Sequence, residues 1–184
     1  MHATEILMDE HRVIERVLAS LELAARRLES GPPPGAEFFL RAAEFNAGFA
    51  DGCHHRKEEG VLFPAMEAAG VPRAGGPIGV MLAEHEEGRR ITRAMRAAAE
   101  RMGAGDAGAR AEVRRHALDY VGLRRQHILK EDTVLFPMAG RVIQAVGQGE
   151  VAEAFERIER EETGQGVHER FLGLAVALED EVRG

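Results

Sequence analysis

Two short segments of this sequence carry the same pattern of histidine and glutamate, with a spacing that suits metal binding. Residues 54–64, HHRKEEGVLFP, match residues 127–137, HILKEDTVLFP, without gaps, and seven of the eleven positions are identical. Residues four apart lie on one face of a helix, so His54 and Glu58 point the same way, as do His127 and Glu131. The Leu-Phe-Pro after each pair directs that face inwards. Each segment therefore brings one imidazole and one carboxylate to a core.

Two further histidines precede these segments at matched distances. His11, in MDEH, lies 43 residues before His54, and His85, in LAEH, lies 42 residues before His127. A helical hairpin used twice explains both offsets and predicts a pseudo-twofold four-helix bundle. Four imidazoles and two carboxylates then meet in the interior, where uncompensated charges cost on the order of several kcal/mol each. Metal ions would offset that cost.

The predicted metal site contains two ions, because the donors form a pseudo-symmetric set with two bridging carboxylates. Imidazole and carboxylate donors without thiolate favour iron, then manganese, and allow zinc. Solvated ion pairs are the alternative, but they do not explain why the same pair occurs twice. The predicted ligands are His11, His54, Glu58, His85, His127 and Glu131.

Other groups near these residues are assigned secondary roles. His55 and Glu59 form a second pair turned about 100° around the helix, and we expect them behind the ligands or at the surface. His55→Ala should therefore spare most of the metal, whereas His54→Ala or Glu58→Ala should remove it. Four more residues are expected to be structural, and each has an alternative role. Glu15 could supply a third carboxylate and Tyr120 could hydrogen-bond a bound oxygen species. Cys53 could be a redox thiol, and His168 could cover the site.

Composition restricts the class of protein. The 184 residues are 45% hydrophobic and 30% charged, which is typical of one soluble domain, and the net charge of −7 argues against a nucleic-acid partner. No apolar run approaches the roughly 20 residues that span a bilayer.

The start of the chain lacks the pattern of a signal peptide, so we expect a cytoplasmic protein. The single cysteine excludes an internal disulfide framework. We expect a monomer or homodimer.

The helical periodicity and the glycine and proline positions predict an all-α protein. Four helices are expected at about 4–29, 36–67, 78–102 and 109–146, in an antiparallel up-down bundle over residues 1–146. The sequence VGQGE should separate this bundle from a C-terminal helical extension over residues 147–184, packed on the bundle and divided at Gly164 and Gly166. Pro64 and Pro137 should each kink or interrupt a helix.

The motifs DEH, HHRKEEGVLFP, LAEH and HILKEDTVLFP, in this order over roughly residues 5–140, resemble the hemerythrin-like, or HHE cation-binding, family. The resemblance implies a four-helix bundle with a non-haem di-iron centre, bridged by an oxo or hydroxo group and held by the six residues above. Oxygen-carrying hemerythrins have a fifth histidine one turn after the third-helix ligand, where this chain has Arg89. They also use an aspartate five residues after the fourth-helix histidine, whereas here Glu131 stands at the fourth position and Asp132 at the fifth. The set is more similar to bacterial di-iron proteins linked to nitric oxide stress and iron-cluster repair.

Three functions are compatible with this sequence. The protein could bind or sense O2, NO or peroxide. It could be an iron-handling or detoxifying enzyme that reduces NO or peroxide, or donates iron to damaged iron–sulfur clusters. It could also be a structural metal bundle that acts through protein interactions of its C-terminal helices. No residue is assigned a catalytic role.

Overall fold

The computed structural model describes residues 3–164 and 166–183, apart from the side chains of residues 145, 146 and 162. Helices account for all regular structure in these ranges, with no strand, which confirms the all-α prediction. None of the described helices is both long enough and apolar enough to cross a bilayer.

Four helical segments form the bundle. The first is α1 (Ala3–Arg27) and the third is α4 (Pro77–Gly103). The second combines α2 (Ala36–Phe45), the π-helical stretches π1 (Asn46–His55) and π2 (Glu58–Leu62), and α3 (Phe63–Ala68). The fourth combines α5 (Ala109–Lys130), π3 (Glu131–Leu135) and α6 (Phe136–Val142). A C-terminal extension follows, made of α7 (Ala145–Arg157), π4 (Ile158–Thr163) and α8 (Val167–Arg183).

The extension packs on one side of the bundle. Helix α5 contacts both α4 and α1, and α2 contacts α4, while α8 lies against α1 and α2 together. Glu181 pairs with Arg41, and Arg170 pairs with Glu44 at 2.6 Å, so α8 runs antiparallel to α2. The described contacts therefore place α8 in the groove between the first and second helical segments. The domain division at residue 146 stays a prediction.

Two apolar cores occupy the ends of the bundle, and a polar layer separates them. On α1, Leu7 belongs to one core and Ile14 to the other, with His11 between them. The same order recurs on α4, where His85 stands between Met81 and Ile91. Buried polar groups thus interrupt the apolar stripe of each helix at one position. In all four segments this position lies at the same height along the bundle axis.

The end of the fourth segment differs from the sequence prediction. The helix stops at Val142 instead of residue 146, because Ile143 and Gln144 have extended backbone angles. The predicted break at VGQGE is also wrong, since α7 runs through it. Tertiary packing outweighs the two glycines there: Val151 and Phe155, further along α7, are buried in the core that contains Leu7. The divisions at Gly164 and Gly166 are confirmed, and both glycines have positive φ angles.

The prolines do not end their helices. Pro64 and Pro137 each lie in the first turn of an α-helix that directly continues a π-helical stretch. Proline lacks an N–H and clashes with the carbonyl four residues earlier. The i→i+5 bonding of a π-helix shifts that carbonyl and accommodates the ring. The same wider turns contain four residues of the polar layer, His54, His55, Glu58 and Glu131.

Gly48 sets how closely α8 approaches the second segment. A Cβ at this position would overlap the tip of the buried Phe171 ring. Gly48→Ala should therefore lower the free energy of unfolding by about 1–3 kcal/mol, the usual effect of overpacking. Urea unfolding measures this loss. Gly122→Ala is the matched control, because a Cβ there meets no atom within 4 Å, and it should not destabilise the protein.

Candidate metal centre

The six residues predicted as ligands come together in the polar layer. Each of the four helical segments contributes: α1 supplies His11, α4 supplies His85, and the second and fourth segments supply one histidine and one glutamate each. All six side chains are buried, and Glu58 and Glu131 have 0% exposure. The helical spacing of the two repeats therefore directs both pairs inwards, as the sequence predicts.

The donor atoms form two groups that share one carboxylate. The first group contains His11, His54, Glu58 and Glu131, and the second contains His55, Glu58, His85 and His127, with all donor atoms of a group within 4.8 Å of one another. Glu131 also reaches both groups, since its oxygens lie 3.2 Å from His11 Nε2 and 3.0 Å from His127 Nε2. Both carboxylates are thus placed between two sets of imidazoles.

A carboxylate from a different turn or helix fixes the orientation of each of the four imidazoles. In every case the carboxylate contacts Nδ1, so Nε2 points into the centre. This is the arrangement that metal-binding histidines adopt, because the second ring nitrogen then donates its proton to the carboxylate. The pairs are His11 with Asp132 at 2.7 Å, His54 with Glu10 at 2.9 Å, His85 with Glu59 at 2.7 Å, and His127 with Glu84 at 2.9 Å.

These outer carboxylates are ionised. Burial would raise the pKa of Glu10, but the hydrogen bond from His54 and the charge of Lys57 hold it at about 2. Contact with His127 and Lys130 likewise keeps the pKa of Glu84 at about 2. An ionised carboxylate accepts the Nδ1 proton and leaves the Nε2 lone pair free for a cation.

The imidazole nitrogens are spaced for a shared ion. His11 Nε2 lies 3.0 Å from His54 Nε2, and His85 Nε2 lies 3.1 Å from His127 Nε2. Burial lowers the pKa of His54 to about 4 and lowers that of His85 as well, so these two rings are neutral at neutral pH. Two nitrogens about 2.1 Å from one ion lie about 3.0 Å apart at a right angle and about 3.4 Å apart at a tetrahedral angle. The observed spacing lets both nitrogens of a pair reach one ion.

The two central carboxylates are available to bind a cation. None of the four oxygens of Glu58 and Glu131 makes a hydrogen bond of good geometry among the described residues, although Glu131 approaches Nε2 of His11 and of His127. Burial and the neighbouring charge of Glu131 raise the pKa of Glu58 well above its usual value. Although burial lowers the pKa of His11, Asp132 and Glu131 raise it to about 9, so this ring supplies positive charge when the site is metal-free. The residues present therefore fit a pair of divalent ions.

His55 lies closer to the centre than α-helical geometry alone suggests. It is 2% exposed, so the expected position at the surface is wrong, and it belongs to the second donor group with Glu58. The alternative position behind the ligands stays a prediction. Its Nδ1 contacts Asp51 at 3.2 Å, and its ring stacks on His85 with centroids 3.8 Å apart. A π-helical turn rotates successive residues by less than the about 100° of an α-helix, so both His54 and His55 face inwards. The four small residues Ala47, Gly48, Ala50 and Gly52 were no sufficient sequence signal for that turn.

Arg89 and Asp132 support the ligands. Arg89 donates hydrogen bonds to Asp51 at 2.8 Å and to Glu59 at 2.7 Å, the carboxylates that orient His55 and His85. At the position of the fifth histidine of oxygen carriers, this chain thus has an arginine that holds two outer carboxylates in place. Asp132 is turned away from the centre, as expected, and binds His11.

The remaining candidate residues lie outside the two donor groups. Cys53 is buried, and burial raises the pKa of its thiol, which suits a core residue. Glu15 pairs with Arg12 at the surface. Tyr120 is buried in the core beside Arg124. His168 packs at 5.3 Å from Phe49, on the extension.

Comparison with known families agrees with this geometry. The model of the hemerythrin HHE cation-binding domain matches residues 2–139, a range that contains all seven histidines and glutamates of the two donor groups. The chain belongs to the hemerythrin HHE cation-binding family. Its buried histidine and glutamate groups are the metal-binding feature of this hemerythrin-like domain.

Relatives of this hemerythrin-like chain occur in mycobacteria. It is 31% identical over 177 residues to a protein of Mycobacterium bovis named "Uncharacterized protein Mb2018" and to one of Mycobacterium tuberculosis named "Uncharacterized protein Rv1995". Each alignment covers 96% of this chain and 69% of the relative, so it includes the C-terminal extension. No solved structure matches this chain significantly.

Proposed function

We propose that this hemerythrin-like chain is a non-haem di-iron protein that binds or senses a small oxidant: O2, NO or peroxide. The observation that carries the proposal is the pair of donor groups that share Glu58. Mixed imidazole and carboxylate donors without thiolate favour iron. A di-iron pair supplies reversible electron transfer to such ligands when it is bound.

The protein donors are distributed unequally over the two positions. His11 and His54 would hold a first ion, and His55, His85 and His127 would hold a second, with Glu58 and Glu131 within reach of both. Four protein donors for the first ion and five for the second would leave more room at the first for an added ligand. We therefore propose that the small oxidant binds on the side of His11 and His54.

Neighbouring side chains keep water from this centre. The Phe136 ring stacks on His11 with centroids 5.4 Å apart, and the Phe63 ring stacks on His85 at 6.0 Å. Both phenylalanines come from the Leu-Phe-Pro repeats, so the same motif that orients the glutamates also closes one end of the site. Apolar side chains around buried donors favour a small neutral ligand, because such a ligand can pass between them without a row of charged residues.

Replacement of His55 tests the unequal distribution. His55→Ala should lower the metal content from two ions per chain toward one, because the second ion loses an imidazole while the first keeps its donor group. Elemental analysis of purified protein measures this. His116→Ala is the matched control, since this histidine of α5 belongs to no donor group among the described residues, and it should keep both ions. Two ions retained in His55→Ala would show that His55 is a neighbour and not a ligand.

Metal analysis coupled to an anaerobic optical titration tests the proposed function. Two irons per chain with a spectrum that changes on adding O2, NO or peroxide and returns on removal would support binding or sensing. Two irons that consume NO or peroxide continuously would instead indicate a detoxifying enzyme, and loss of iron to a cluster-depleted acceptor would indicate iron donation. One zinc, or no spectral response, would leave a structural metal bundle.

A further inference from the structure

A small cavity lies beside the metal centre, between π1, α4 and α5. Its volume is about 120 Å³, enough for a few water molecules or one small anion, since a water molecule occupies about 30 Å³ in the liquid. Exposed Ala47 and Arg93 stand at its mouth, and buried Asn46 and Arg124 line it deeper in. The cavity is therefore a pocket with a polar floor.

Arg124 is a buried cation that forms no ion pair among the described residues. It is 3% exposed, and its Nε and Nη1 atoms have no hydrogen-bond partner among the described residues. Its guanidinium group lies 5.4 Å from the centre of the Tyr120 ring and presses against α4 at Gly88, where a Cβ would overlap Nη2. A buried guanidinium with free donors is unfavourable unless an anion compensates it.

The metal centre does not provide that compensation. The charge of Arg124 opposes burial and Glu131 in setting the pKa of Glu58, so its field reaches the central carboxylates. None of the central carboxylates forms an ion pair with Arg124 among the described residues, and its Nε and Nη1 atoms keep free hydrogen-bond donors.

A second unsatisfied donor lines the same cavity. Asn46 Nδ2 is buried and has no hydrogen-bond partner among the described residues. Arg89, Arg93 and Arg124 add three positive charges to the lining, against one carboxylate, Asp51. That carboxylate is already bound to Arg89 and His55. The free groups in the cavity are therefore donors, and a planar guanidinium matches a planar oxyanion through paired hydrogen bonds.

We propose that this cavity binds one small, planar, monovalent oxyanion of the size of formate or nitrite, held by Arg124 and Asn46. The site lies one helical turn from the centre, because Arg124 precedes His127 by three residues and Gly88 follows His85 by three. An anion bound there lies next to the second donor group, and its negative charge changes the electrostatic potential at that group. This site goes beyond the proposed function, and anion binding can be measured whatever the metal centre does.

Calorimetric titration tests the site. Formate and nitrite are each titrated into the purified, metal-loaded protein at constant ionic strength, and the metal content is measured in parallel. Arg124→Met should weaken the affinity for both anions by at least about tenfold while the metal content stays unchanged. Arg90→Met is the matched control, because Arg90 is an exposed arginine on α4 that pairs with Glu87, and it should bind both anions as the original protein does.

Three results would overturn the proposal. The first is no saturable binding of either anion, and the second is equal affinity in Arg124→Met. The third is nitrite binding that formate does not compete with, which would place the anion on the metal. Arg124→Met should fold, since an apolar side chain of similar length replaces an unpaired buried charge. Gly88→Ala is a second variant, in which the added methyl group displaces the guanidinium, and it should lose affinity for both anions as well.

Discussion

Glu58→Gln is expected to remove both metal ions from the purified protein. Among the described residues, Glu58 alone belongs to both donor groups, and its oxygens approach His54 Nε2 at 3.6 Å and His85 Nε2 at 3.4 Å. Glutamine keeps the shape but loses the negative charge that balances the ions and can bridge them. We expect the affinity for each ion to fall by more than the roughly 10–100-fold that loss of an outer-shell partner causes. Elemental analysis after dialysis against a weak chelator measures this.

The fold of Glu58→Gln should survive. Burial and Glu131 already raise the pKa of Glu58 well above its usual value in the metal-free protein, so a neutral amide resembles its protonated form. Circular dichroism should show unchanged helix content, and the metal-free variant should be at least as stable toward urea as the metal-free parent.

Glu59→Gln is the matched control for this experiment. Glu59 is the next residue along the helix and contacts His85 Nδ1 but belongs to neither donor group. It should weaken only the second ion, by about 10–100-fold. If Glu58→Gln instead retained both ions, or lost no more than Glu59→Gln does, then Glu58 would not be the shared ligand.

Lys57→Met is expected to destabilise the protein by about 3–5 kcal/mol, the usual effect of breaking a buried ion pair. The Lys57 side chain is 0% exposed and contacts both Glu10 and Glu159. Its loss leaves Glu10, a buried carboxylate that also orients His54, without its cation. Glu159 lies in π4, so the same lysine connects the C-terminal extension to the outer shell of the first donor group. Urea unfolding of the metal-free protein gives the change directly.

The internal repeat supplies the control for Lys57. Lys130 occupies the equivalent position 73 residues later and contacts Glu84, which orients His127. Its side chain is 40% exposed, so the ion pair is screened by water. Lys130→Met should therefore cost only about 0–1 kcal/mol. Equal losses in the two variants would mean that burial does not distinguish the two halves of the repeat, contrary to our expectation.

Much of the centre follows from local sequence. The spacing between His54 and Glu58, repeated at His127 and Glu131, places each pair on one helical face through backbone hydrogen bonds within a single segment. The apolar residues around each pair decide which face is buried. The matched offsets of His11 and His85 indicate a twofold hairpin, and the structure brings all six residues together in one polar layer.

The α-helical period predicts the wrong side-chain direction where the helix has π-helical turns. It also predicts the wrong helix end where packing stabilises a helix through glycine residues. His55 enters the second donor group because π1 turns more slowly than an α-helix. The helix through VGQGE forms because its later residues pack into a core. In both cases the sequence signal is weak, because the choice between helical forms depends on the contacts that each form permits.

The fold class, the twofold repeat and six of the buried donors follow from the amino-acid sequence, because the helical period and the repeated spacing are local patterns. Three features depend instead on how the helices pack: which carboxylate orients each imidazole, why Lys57 is buried while Lys130 is not, and where Arg124 lies. These contacts join residues that are distant in sequence, such as His11 and Asp132, 121 positions apart. They depend on the rotation and axial register of whole helices, which packing across the bundle sets.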